Sequence, residues 1–146
     1  MLKNSLIDSD LSRFTNSLSI LRSSNISIIN ALEISADTIS NSYLRQQVKS
    51  TANKVAEGES LASSLEKIQV IPPLVTQMIE NGERSGRLEE MLEKVSVYLE
   101  DKFQSSTKIT MNLLEPLIVV FLGMFVALIV LAILLPLIQL NTLTLN

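Results

Sequence analysis

The last charged side chain in this 146-residue chain is Glu115, and the 31 residues after it carry no formal charge. All 12 Lys and Arg and all 15 Asp and Glu lie at or before that position. Inside the charge-free stretch, residues 117–140 hold 21 apolar side chains in 24 positions, which excludes a purely soluble fold. The 22 residues from Leu117 to Ile138 make a helix about 33 Å long at roughly 1.5 Å per residue, enough to cross a hydrocarbon core of about 30 Å. A charge at mid-span would cost about 2.5 to 3.5 kcal/mol, and none is there. The segment lies at the C-terminus and exceeds the roughly 7 to 15 apolar residues of a signal peptide. It is apolar on every face, so a soluble core would need a large protein around it.

The other 122 residues hold 47 of the 68 apolar side chains, an ordinary globular share, in one domain of about 110 residues. Zero Cys and zero His exclude disulfide frameworks, thiolate nucleophiles, Cys-ligated zinc, iron–sulfur clusters and His-dependent triads. A net charge of −3 and six aromatics give no footprint for nucleic acid. Orientation follows from Lys102 and Lys108, which precede the apolar run while the tail QLNTLTLN has no positive charge; the N-terminal part is expected in the cytoplasm. Gly123 and Ala127 are spaced either to admit a second helix closely or simply as small residues tolerated in a span.

Nothing before residue 112 alternates with period two, and turn signals arrive at helix-length intervals. Leu11, Phe14, Leu18 and Leu21 form the stripe of a first helix, opened by Asp8, Ser9 or Asp10 as its cap. Asn25 sits where a left-handed residue ends it. Ser27 caps a second helix running to about Thr38, with Ile28, Leu32, Ala36 and Ile39 on one face. A third starts near Ser42, carries Leu44, Val48, Ala52 and Val55, and stops at Gly58. Ser60 caps a short fourth helix burying Leu61, Leu65 and Ile68. Pro72-Pro73 opens a fifth with Leu74, Val75, Met78 and Ile79, expected to end at Gly82. After Ser85 as cap, Glu89 and Glu90 occupy the positive-dipole turn of a sixth helix through Leu88, Leu92, Val95, Leu99 and Phe103. It has no break signal before Pro116, where a lost hydrogen bond allows a bend. The fold class is therefore all-α: an antiparallel six-helix cytoplasmic bundle over 1–112, a transmembrane helix over 113–140 and a short tail over 141–146.

The most punctuated stretch is ENGERSGRLEEML, residues 80 to 92. Gly82 and Gly86 lack the following Lys-Ser or Lys-Thr and the preceding strand of a phosphate-binding loop. The physical reading is a helix–turn–helix corner in which Gly82 is left-handed, Ser85 caps the next helix and Gly86 lets a neighbouring backbone approach. Glu83 and Arg84 are left at the tip, either solvated or available to a partner. Glu89 and Glu93 share a helix face at i,i+4, and Glu57 and Glu59 form a second acidic group; solvated faces outweigh a loose cation site for both. No cleft suits a glycosidase-style pair, and Tyr43 and Tyr98 read as core-edge aromatics. Glu115, directly before Pro116, sits at the membrane boundary with Lys108 two turns away on the same face. These residues supply no catalytic set, cofactor site or metal site.

Taken together, FTNSLSILRSSNISIINALEI, the Gly58-Glu59-Ser60-Leu61 break, Pro72, the GExSGxL core (Gly82, Glu83, Ser85, Gly86, Leu88) and the Leu-Glu-Pro start of the apolar helix at Glu115 and Pro116 resemble the inner-membrane platform protein of type II secretion systems, protein F, and of type IV pilus machines. The resemblance covers nearly the whole chain and corresponds to the C-terminal repeat of a longer protein with two bundles and three membrane helices. It implies a fragment, or a half-size relative that must dimerise. Asn25 departs from the family's usual Gly. The resemblance implies a non-enzymatic role at the bacterial inner membrane, with a secretion or pilus ATPase, other inner-membrane assembly proteins, pseudopilins or pilins, the lipid bilayer and other copies of the chain as partners. The competing reading is a C-terminally anchored helical adaptor for an unrelated partner.

Overall fold

A computed structural model describes residues 2–145. Six helices follow one another: α1 (Leu2–Ser23), α2 (Ile28–Ala36), α3 (Ser42–Ala56), α4 (Leu61–Glu66), α5 (Pro73–Ser85) and α6 (Leu88–Thr144), with no strand among the described residues. The chain divides into two compact units, Met1–Ser106 and Thr107–Asn146.

The first unit is a ring of helices in which α1 packs on α2, α2 on α3, α3 on α4 and α4 on α5. Polar contacts join α1 to the first turns of α6. As the α1 position advances through Asp8, Ser12 and Ser19, its partner on α6 retreats through Lys102, Ser96 and Glu89, so these two helices run antiparallel. The stripes read from sequence converge inside the ring. Leu11, Phe14, Leu18, Leu32, Val48, Leu65, Ile79, Leu92, Val95 and Leu99 are all buried, each contributing about 1.5 to 3 kcal/mol of apolar transfer. Leu74 departs from its stripe and is exposed, as is Tyr43, whereas Tyr98 packs against the core.

Most of the punctuation acts as its chemistry dictates. Asn25 has φ 63° and Gly58 φ 103°, ending α1 and α3. Ser27, Asn41 and Ser60 each accept a hydrogen bond from a backbone N–H three residues on. α2 ends at Ala36, short of Thr38, because Asp37, Thr38 and Ile39 donate to carbonyls only three residues back, the tighter turn that closes many helices.

The opening of α1 differs from expectation. The helix begins at Leu2, so Asp8 and Asp10 are interior positions. Their carboxylates are buried and taken by other helices: Asp8 faces Lys102, while Asp10 accepts from the backbone N–H groups of Ser40 and Asn41 just ahead of α3. An acid that caps a different helix has the same sequence signature as one that caps its own.

The second unit is the continuation of α6, with Pro116 and Pro136 inside the helix. Its most apolar window has mean hydropathy 3.3 and none of it is buried against protein, so by length and composition it is able to cross a membrane.

Candidate functional site

The densest set of specific side-chain roles is the corner between α5 and α6, and there the structure exchanges the duties expected of two glycines. Helix α5 continues past Gly82 to Ser85 and ends on Gly86, which adopts φ 70°. The N–H groups of Gly86 and Arg87 both point back to Gly82 O, the latter at 2.9 Å, which is the bond pattern of a glycine-terminated helix. Gly82 is helical and buried, and a Cβ there would lie 2.9 Å from Met91 Cβ and 3.0 Å from Leu88 Cα. The close approach is at Gly82 and the left-handed turn at Gly86. The physical reason is spacing: three further residues let Ile79 and Gly82 share the buried face before the chain reverses. Because no atom comes within 4 Å of a Cβ built at Gly86, Gly86→Ala should cost only the left-handed penalty, about 1 kcal/mol. Amide exchange of the bundle would read it, and a loss as large as that of a core truncation would contradict the assignment.

Ser85 does not cap α6. Its Oγ donates to Asn81 O at 2.7 Å, within its own helix. Glu83 is not left at the tip either; it is half-buried, and its Oε1 accepts from Ala62 N at 2.7 Å, satisfying the first turn of α4. Arg84 does stay exposed at the tip, paired with Glu80 at 2.7 Å. Leu88 packs against the core. Gly82, Glu83 and Leu88 therefore meet where α4, α5 and α6 are joined, while Gly86 ends α5 and Ser85 stays exposed on its own helix. Glu115 and Pro116 belong to the second unit, where both are exposed.

Two features of the first unit were not legible. One is the hydroxyl seam between α1 and α6: Ser12 Oγ donates to Ser96 O at 3.2 Å, Ser96 Oγ to Ser12 O at 3.3 Å, and Ser19 Oγ to Glu89 O at 3.0 Å. Arg22 extends it, donating to Ile26 O at 3.0 Å and pairing with Glu89 at 3.1 Å. Glu89 is thereby separated in role from Glu93, which is exposed. The other is the bracket on α4. Lys67 binds Glu59 at 2.9 Å, and Ser64 Oγ lies 3.1 Å from the same carboxylate oxygen. The Lys67 ammonium, assisted by Ser64 against the opposing effect of desolvation, holds the Glu59 carboxyl below the ordinary glutamate range. A carboxylate lowered on folding stabilises the fold above its unfolded pKa, and that contribution disappears as pH falls through the lower folded value. A carboxyl-detected NMR titration should show Glu59 titrating low in the native chain and returning toward its ordinary value in Lys67→Met; an unmoved titration would discount the bracket.

Among the described residues no three acidic side chains are placed to hold a metal ion. The arrangement joins α4 to α5 through Glu83 and brings α5 against α6 at Gly82.

The family model described as type II secretion system (T2SS), protein F, matches residues 14–136, a span that includes the whole corner and most of the apolar helix. The chain belongs to the type II secretion system protein F family. Among curated relatives, a type II secretion system protein F of Pseudomonas aeruginosa is 41% identical over 134 residues, covering 92% of this chain and 33% of the relative. Its namesake in Vibrio cholerae is 35% identical over 131 residues, covering 90% of this chain and 32% of the relative. A type IV pilus assembly protein PilC of Myxococcus xanthus is 33% identical over 113 residues, covering 77% and 27%. The chain thus spans about a third of the length of the protein F relatives it matches. Relatives named for secretion and relatives named for pilus assembly thus both resemble this chain.

Proposed function

We propose that the chain is a non-enzymatic platform component of a type II secretion or type IV pilus machine in the bacterial inner membrane, where it couples a cytoplasmic ATPase to the assembly of pseudopilin or pilin subunits. The observation that carries this is the family match across residues 14–136, which joins bundle and apolar helix in one continuous resemblance. Residues 1–112 are the cytoplasmic bundle, 113–140 cross the bilayer and 141–146 form a short tail beyond it. The orientation is supported by Lys102 and Lys108 ahead of the apolar run and by the lack of positive charge after it.

In this reading the corner residues Gly82, Glu83, Ser85, Gly86 and Leu88 hold three helices in a fixed relation, and Glu115 and Pro116 mark the start of the span. Transmission of force needs rigid elements more than reactive groups, and the ring of buried side chains and the α1–α6 seam supply them. The chain works alongside further copies or repeats.

The test is reconstitution in lipid nanodiscs followed by sedimentation with the purified hexameric ATPase of the same machine. The chain should retain the ATPase, and Gly82→Val should release it. Failure of the wild-type chain to retain the ATPase, alone and with its inner-membrane assembly partners present, would favour the adaptor reading.

A further inference from the structure

Asn81-Gly82 is the one Asn-Gly step in the chain; every other internal asparagine is followed by a residue with a side chain. Such a step is the least hindered place for a backbone nitrogen to attack the side-chain amide before it, because glycine has no Cβ to crowd the approach. Asn81 is exposed, so water reaches its carboxamide, while Gly82 is buried and helical. As an interior residue of α5, Gly82 donates its N–H to the carbonyl four residues back, and Asn81 keeps a helical ψ. That backbone turns Gly82 N away from Asn81 Cγ. The corner holds it there: Ser85 Oγ donates to Asn81 O at 2.7 Å, Gly82 O accepts from Gly86 and Arg87, and Ile79 is fully buried.

We propose that Asn81-Gly82 is a gated deamidation site, closed while α5 is packed at its corner and converted when that packing opens. In the open chain Gly82 N gives up its proton to solvent and attacks Asn81 Cγ; the new C–N bond closes a five-membered succinimide, and the amide nitrogen leaves as ammonia. Water then opens the ring. Cleavage at Cγ leaves aspartate, and cleavage at the main-chain carbonyl leaves isoaspartate, whose backbone carries one extra methylene directly ahead of Gly82. Either product adds a negative charge about one turn from the end of α5, where the helix dipole disfavours it. Gly82 has no room to be displaced, since a Cβ there would already lie 2.9 Å from Met91 Cβ. With isoaspartate at 81, α5 returns out of register with α6, so the change is one-way: a corner that has opened and reacted does not close again. The proposal stands on the first unit alone and does not rest on the platform reading.

The experiment incubates the full chain in lipid nanodiscs in mildly alkaline buffer, with and without enough urea to unfold the bundle. Peptide mass spectrometry that separates asparagine, aspartate and isoaspartate follows residue 81. In urea Asn81 should react faster than any other asparagine of the chain. Without urea its rate should fall by about tenfold or more, because the reaction then proceeds only through the open state. Leu92→Ala takes a fully buried side chain out of α6 and should raise the rate in nanodiscs severalfold while leaving the rate in urea unchanged. If that variant unfolds outright, a series of sub-denaturing urea concentrations on the wild-type chain gives the same reading: the rate should climb as amide protection at Ile79 falls. The proposal is overturned by equal rates with and without urea, by a rate that stays flat while Ile79 loses protection, or by wild-type Ile79 protection in chains that carry isoaspartate.

Discussion

Gly82→Val lowers the stability of the helical bundle by about 3 kcal/mol, and Gly82→Ala by about 1 kcal/mol. The sign is not obvious, because replacing a glycine inside a helix gains about 0.5 to 1 kcal/mol of backbone entropy and propensity. At Gly82 that gain is opposed by a Cβ placed 2.9 Å from Met91 Cβ and 3.0 Å from Leu88 Cα. Leu88 is backbone in the first turn of α6, so the strain is relieved only by separating α5 from α6. Separation draws Ile79 and Leu92 out of the core, where both are fully buried. Valine adds two methyl groups and a branched Cβ to the same clash. Amide exchange of Ile79 and Leu92 in the full chain in nanodiscs measures the loss, and wild-type protection in Gly82→Val would sink the assignment. Met91→Ala should not rescue it, since the alanine keeps the Cβ and leaves Leu88 in place.

The same corner shows what a sequence of this kind discloses. Helix number, the apolar stripes and the caps at Ser27 and Ser60 follow from local rules, because each is decided within about four residues. The two glycines of ENGERSGRLEEML announce a corner for the same reason. Which glycine is left-handed and which is the contact point depends on where α5 finishes its buried face, and that is decided by α6, which follows both glycines in the chain. Glu83 is a longer-range case. Its partner is the N–H of Ala62, 21 residues earlier, and no pattern in the neighbourhood of Glu83 points there. Asp8 and Asp10 are harder still, since acids near a helix start are ordinarily caps, and their interior placement follows from α1 beginning at Leu2.

In this chain the corner residues have geometric duties. Gly82 sets the distance between two helices, Gly86 the reversal, Glu83 the position of α4, and Leu88 the first core contact of α6. Each duty needs one residue type for a steric or hydrogen-bonding reason. That is why composition and spacing speak clearly about architecture here while surface contacts stay outside what they encode. The charge-free run after Glu115 is the opposite kind of signal: it requires no partner residue to be interpreted, only the thickness of a bilayer.

Asp10→Ala is the second change with a large expected effect, a loss of about 2 to 3 kcal/mol. Asp10 is the only acid in the first turns of α1 whose oxygens reach backbone donors across the bundle, at Ser40 and Asn41, both 3.1 Å away. Those two N–H groups lie where the chain turns from α2 into α3, and Asn41 is itself the residue whose side chain caps α3 by accepting from Leu44 N at 3.0 Å. Removing the carboxylate takes away the acceptor that ties the Ser40 and Asn41 N–H groups to α1 and loosens the residue that caps the next helix. Arg13, also bound to Asp10, is 56% exposed at its side chain, so it returns to water at little cost. The ion pair is therefore the minor part, and Arg13→Ala should lose less than about 1 kcal/mol. Asp10→Asn keeps one carbonyl acceptor and should fall between the two. Exchange protection at Leu44 and Arg45 in the full chain ranks the three variants, and a loss in Arg13→Ala equal to that in Asp10→Ala would mean that the ion pair, and not the backbone bonds, joins α1 to the start of α3.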